Sequence, residues 1–169
     1  MTKLIVISGA PGVGKTYFAK KLIKKLESTF YIDTDIFSDE IKETLGDRVF
    51  DEKISLTKMV LNTLEKILNE NKSINSIVIV HSFKRNQQLK KVTSKFKQKD
   101  AYVFELKTTE SKHKKQVENR KNRMSDYNKV KEFLSEKEEF KIKQKFSLNL
   151  STGIANNITF VKKIINENV

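Results

Sequence analysis

Gly9-Ala10-Pro11-Gly12-Val13-Gly14-Lys15-Thr16 is the stretch that decides how this chain folds. The octet fits G-x-x-x-x-G-K-[ST] at every fixed position. The apolar run Leu4-Ile5-Val6-Ile7 leads into it, and Phe18, Ala19, Leu22 and Leu26 follow at helical spacing, so it stands between a predicted strand and a predicted helix. Glycines permit the positive-φ turns that close backbone N–H groups around phosphate oxygens, and the helix N-terminus adds partial positive charge. In such a loop Lys15 reaches the β and γ phosphates, and Thr16 offers its hydroxyl to Mg²⁺. Residues 9–16 are therefore predicted to bind ATP with Mg²⁺.

Outward from the octet, apolar runs of strand length alternate with longer segments of helical period, the pattern of βαβ units in a parallel α/β sheet covered on both faces. Five strands are predicted, at residues 3–8, 30–33, 76–80, 102–106 and 147–150. Several are continuous β-branched runs, as strands buried on both faces require. Helices are predicted at 15–26, around Met59 to Leu68, and at 86–96, 109–124, 130–145 and 157–165. Residues 119–136 are charged and poor in large apolar side chains, which predicts a segment projecting from the core. Without repeats or linkers, residues 1–169 read as one domain.

Composition narrows the classes. The chain has no cysteine, which excludes thiolate metal sites, disulfides and cysteine nucleophiles. The start Met1-Thr2-Lys3 runs straight into a short strand, so neither a secretory leader nor a membrane span is expected there, and a cytoplasmic protein, monomer or homodimer, is the plain expectation. A net charge of +13 makes nucleic acid a candidate partner, because a positive field concentrates phosphates. Nearly all of that charge is lysine, which a biased amino-acid usage also explains; the arginines are Arg48, Arg85, Arg120 and Arg123.

Tyr31-Ile32-Asp33-Thr34-Asp35 ends the second predicted strand, where parallel sheets bind ligands. Residues two apart on an extended chain point the same way, so Asp33 and Asp35 are expected to face the γ-phosphate together. One would aid the Mg²⁺ shell and the other accept a proton from an acceptor hydroxyl. Asp35 is also a candidate N-cap for a helix beginning near Ile36. The third strand is followed by His81-Ser82-Phe83. Arg120 and Arg123 share one face of a predicted helix and suit phosphate oxygens, although Lys115, Lys121 and Arg123 equally fit a solvated helix face. His113, among lysines, reads as a surface residue, and Tyr102 and Phe104 as core.

On the octet, the Asp33-Thr34-Asp35 segment, the third strand with His81 and Ser82, and the arginine helix, most of the chain resembles the P-loop kinases related to shikimate and gluconate kinases and to 5′-hydroxyl polynucleotide kinases. The resemblance implies a three-layer P-loop NTPase fold with sheet order 2-3-1-4-5 and a small helical lid at about residues 116–136. It also implies Asp35 as general base, Asp33 as assistant to magnesium or substrate, and Arg120 and Arg123 as lid arginines closing over ATP. The pattern departs from the polynucleotide type where His81 and Ser82 stand in place of an acid. It departs again at Ser38, where an arginine is usual and Arg48 is the nearest substitute. The expected activity is an ATP-dependent kinase: Lys15, Asp35 and Arg120 catalytic, Thr16 and Asp33 at the metal, and Asp33, Asp35, Arg48, His81 and Ser82 at the acceptor. The acceptor is a hydroxyl of a small metabolite, a nucleoside or a nucleic-acid 5′ end. The alternative is a non-catalytic, regulatory nucleotide-binding protein. The missing Asn-Lys-x-Asp motif argues against a GTPase.

Overall fold

The computed structural model describes residues 2–36, 56–70, 73–120 and 125–167, with side chains in the second segment from Val60 onward. Its frame is a five-stranded sheet, β1 (Lys3–Gly9), β2 (Thr29–Asp33), β3 (Ser76–Val80), β4 (Ala101–Lys107) and β5 (Lys145–Asn149), in the order β2-β3-β1-β4-β5. All four pairings are parallel. Among the described residues, the helices given whole are α1 (Lys15–Ile23), α2 (Leu56–Glu70), α3 (Asn86–Thr93), α4 (Glu110–Glu118), α5 (Tyr127–Glu136) and α6 (Ile154–Glu167).

The central strands bury both faces, and the two-residue period of an extended chain sorts their side chains into two cores. Ile5 and Ile7 of β1 pack with Val78, Val80, Tyr102 and Phe104 against Phe18 and Leu22 of α1 and Val161 and Ile165 of α6. Leu4 and Val6 turn the other way, joining Ile77, Ile79 and Val103 against Leu64 of α2 and Leu89 and Val92 of α3. This sandwich is the predicted three-layer α/β/α fold, with the predicted strand order. Among the described residues, no helix is long and apolar enough to cross a membrane.

The helix expected at 130–145 starts at Tyr127 and stops at Glu136, because the next residues have tertiary work to do. Glu138 Oε2 accepts from the Asn86 N–H at 2.7 Å, capping α3 from a distant part of the chain, and Phe140 is buried in the second core. The described part of residues 119–136, expected to project, lies outside the two sheet cores and rests on the glycine-rich loop. Tyr127 and Val130 of α5 are buried in a small cluster with Val117 of α4 and Ala10 of the glycine-rich loop. The helix expected to run to Met124 is assigned only as far as Glu118.

Candidate active site

β1 delivers the chain at Gly9, and α1 leaves at Lys15 with Gly14 in the left-handed region at its N-cap, φ 99°. Gly12 also has positive φ, 83°, and a Cβ there would lie 2.5 Å from Val117 Cγ2. Helix α4 thus lies directly on the loop, and only glycine fits beneath it. Arg120, just beyond α4, hangs over the same spot, its Nη1 3.7 Å from where that Cβ would be. His113 of α4 is buried, not exposed as expected; its Nε2 lies 2.9 Å from the Pro11 carbonyl, and its ring meets Tyr127 edge-on at 5.5 Å. A signal for this was present in the sequence: His113 and Val117 are four apart, hence on one helix face.

Lys15 is buried, and its Nζ lies 3.2 Å from Gly9 O and 3.0 Å from Ala10 O. Burial lowers its pKa from 10.5 to about 8; Asp35 and Asp33 oppose that shift, while Arg120 adds to it. An ammonium held away from water and beside other charges is poised for an anionic ligand.

Asp33 is the hub of the site. Its Oδ2 accepts from Thr16 Oγ1 at 2.7 Å and from the Tyr31 hydroxyl at 2.9 Å, and its Oδ1 accepts from the Asp35 N–H at 3.1 Å. The strand ends at Asp33 and helical backbone begins at Thr34, so the two-residue alternation does not extend to Asp35. The strand pair sharing a face is Tyr31 and Asp33. Asp33, rather than Asp35, takes the N-cap position, and the first helical turn carries Asp35 toward Lys15. Tyr31 was missed in the sequence although the same alternation points to it. Burial and then Asp33 push its hydroxyl pKa above the ordinary value.

A cavity of about 410 Å³ opens over the loop, lined by Gly12, Gly14, Lys15, Thr16, Tyr17, Lys20, Asp35, Ile36, Gln116 and Arg120. It gathers the lysine and threonine that open α1, the Asp35 carboxylate from beyond β2 and the Arg120 guanidinium from beyond α4. His81 follows β3, with its N–H 3.2 Å from Ile7 O and its Nδ1 2.6 Å from Thr34 Oγ1. Ser82 follows it at the same strand end. Arg48 and Arg123 lie outside the described residues. Among the described residues, no group of three or more His, Asp or Glu side chains converges as a metal cage. The side chains suited to a hard cation are the Thr16 hydroxyl and Asp33, a small set that fits an ion taking its other oxygens from phosphates and water.

A family model described as an AAA domain matches residues 4–140. No curated protein matches the sequence. Among solved structures, a sugar kinase from Janibacter sp. HTCC2649 superposes with a TM-score of 0.74 at 13% identity, covering 98% of this chain and 95% of that one. A gluconokinase from Sinorhizobium meliloti 1021 gives 0.71 at 14% identity, with 98% and 92% covered. A shikimate kinase from Bacteroides thetaiotaomicron gives 0.63 at 15% identity, with 97% and 98% covered. At such identities the likeness is one of fold, and it extends over nearly the whole of each chain. With residues 4–140 matched and this sheet order, the chain belongs to the AAA domain family and has the P-loop fold also seen in shikimate kinase and gluconokinase.

Proposed function

We infer that the protein is an ATP-dependent kinase that transfers the γ-phosphoryl group to a hydroxyl. The observation carrying this reading is the convergence of Lys15, Thr16, Asp35 and Arg120 on one cavity over the glycine-rich loop. The fold shared with a sugar kinase, a gluconokinase and a shikimate kinase supports it.

In this reading residues 9–16 wrap the triphosphate with backbone N–H groups, and Lys15 leaves the Gly9 and Ala10 carbonyls for the β and γ phosphates. Mg²⁺, when bound, would neutralise phosphate charge. Thr16 would hold it through oxygen lone pairs, because its only proton is committed to Asp33. Asp35 receives the proton of the acceptor hydroxyl. Arg120 faces the transferring group from above the loop, and residues 116–136 act as the lid that carries it. The catalytic contribution is positioning and electrostatics, since phosphoryl transfer demands little covalent work from the protein.

A radiolabelled-ATP transfer screen over sugars, polyols, nucleosides and 5′-hydroxyl oligonucleotides tests the reading. Transfer should vanish in Lys15→Ala. Asp35→Asn should still bind nucleotide but lose transfer by at least about a hundredfold, the usual scale of a general base. Nucleotide binding without transfer to any acceptor would favour the regulatory reading, and normal transfer by Asp35→Asn would remove the base assignment.

A further inference from the structure

His81 follows β3 at the carboxyl end of the sheet, and its hydrogen bonds fix what it offers there. Its Nδ1 is 2.6 Å from Thr34 Oγ1, and the same hydroxyl is 3.1 Å from the Val80 carbonyl. A threonine hydroxyl has one proton, and a carbonyl can only accept. The hydroxyl proton therefore goes to Val80 O, and the contact with His81 must be closed by a proton on Nδ1. That leaves Nε2 as a bare lone pair. Phe83 meets the ring edge-on at 4.5 Å and 78°, and Thr34 is buried, so neither partner is at liberty to turn away.

Nε2 makes no hydrogen bond among the described residues, and the ring lies within electrostatic range of Asp35 and Lys15. Burial lowers the imidazole pKa from 6.5 to about 4, an effect Asp35 opposes and Lys15 reinforces, so the ring is neutral at ordinary pH. Two hydrogen-bond acceptors, the Asp35 carboxylate and His81 Nε2, thus belong to one end of the sheet. A ligand complementary to both carries two donors.

We propose that His81 is a specificity-determining residue of the phosphoryl-acceptor site, locked by Thr34 as the Nδ1–H tautomer, so that Nε2 accepts a hydrogen bond from a second O–H or N–H of the acceptor. The ligand class is a diol or amino alcohol, with one hydroxyl facing Asp35 and its neighbouring donor facing His81. An acceptor presenting only a carboxylate or phosphate toward His81 is rejected, because a lone pair facing an anion repels it. This rests on the kinase reading for the identity of the ligand, while the tautomer rests on geometry alone.

The chain's other histidine supplies an internal control. His113 Nε2 faces the Pro11 carbonyl at 2.9 Å, which requires a proton on Nε2, the opposite pattern. Imidazole ¹⁵N NMR of the uniformly labelled protein should therefore show one ring protonated at Nδ1 and one at Nε2. The first set should disappear in His81→Gln and lose its single-tautomer pattern in Thr34→Val. A His81 ring protonated at Nε2 overturns the proposal, whatever the enzyme's activity.

The second arm uses a diol acceptor found by the transfer screen and its analogue with the second hydroxyl removed. His81→Phe should raise KM for the diol by about tenfold or more with kcat little changed, and should leave KM for the deoxy analogue where the wild type has it. His81→Gln, which keeps an acceptor oxygen near the Nε2 position, should restore most of the loss and serves also if the Phe variant folds poorly. Equal penalties on diol and deoxy analogue would sink the specificity role. A screen in which no acceptor takes phosphate sinks it together with the kinase reading, with the NMR result on the tautomer still standing.

Discussion

Lys15 should make nucleotide affinity fall with rising pH over a window set by its burial. In the free protein its pKa is about 8 rather than 10.5, because desolvation penalises the ammonium. A triphosphate beside it restores the charged form, so binding takes up a proton wherever Lys15 starts neutral. If the bound pKa is back near 10.5, the free protein is about half protonated at pH 8 and about one-tenth protonated at pH 9. The apparent Kd for magnesium nucleotide should then be nearly flat below pH 7, about twofold weaker at pH 8 and about tenfold weaker at pH 9. Isothermal titration calorimetry in two buffers of different ionisation enthalpy reads both quantities. About half a proton should be taken up per nucleotide at pH 8, and none in Lys15→Ala, whose weak residual binding should show no such slope. A wild-type Kd unchanged between pH 7 and pH 9 would mean that Lys15 does not gain a proton on binding nucleotide.

Three further outcomes follow from the same contacts. Below about pH 8 the folded chain bears the full cost of a buried ammonium, about 3 kcal/mol from the gap between 10.5 and about 8, and between those values the unfolded chain binds more protons, so stability rises with pH. Urea unfolding should show wild type gaining about 3 kcal/mol relative to Lys15→Met between pH 7.5 and pH 10.5; parallel pH curves would contradict this. Gly12→Ala should cost about 2–4 kcal/mol from positive φ and the clash with Val117, and Val117→Ala in the same chain should recover only the clash portion. His113→Ala should lower stability by about 1–3 kcal/mol, since the buried ring bonds Pro11 and packs on Tyr127, and a thermal melt unchanged from wild type would exclude that bracing role.

What the sequence disclosed and what it withheld divide along physical lines. The loop at residues 9–16 was legible because its conformation is written locally, in glycines that take positive φ at little cost and in a lysine and threonine at fixed offsets. The strands were legible because runs such as Leu4-Ile5-Val6-Ile7 and Ile77-Val78-Ile79-Val80 are short and rich in β-branched side chains, as buried parallel strands are. Helix ends were less so. Nothing local says that α5 must stop at Glu136; the stop is imposed by Glu138 reaching α3 and by Phe140 entering the core. The carboxylates were found for a reason that only half applies, since the strand ends before Asp35 and a helical turn delivers it. His113 and Tyr31 were missed because their partners, Pro11 and Asp33, give them meaning only once the elements are assembled or a face is followed through. Arg48 and Arg123 remain expectations, lying outside the described residues.

The most direct measurement is a crystal structure with Mg²⁺ and a non-hydrolysable ATP analogue. The triphosphate should thread through the amides of residues 9–16, with Lys15 Nζ moved from the Gly9 and Ala10 carbonyls onto the β and γ phosphates and the γ-phosphate directed toward Asp35. A nucleotide seated elsewhere, or Lys15 still bonded to those two carbonyls beside it, would rule out the loop as the phosphate site.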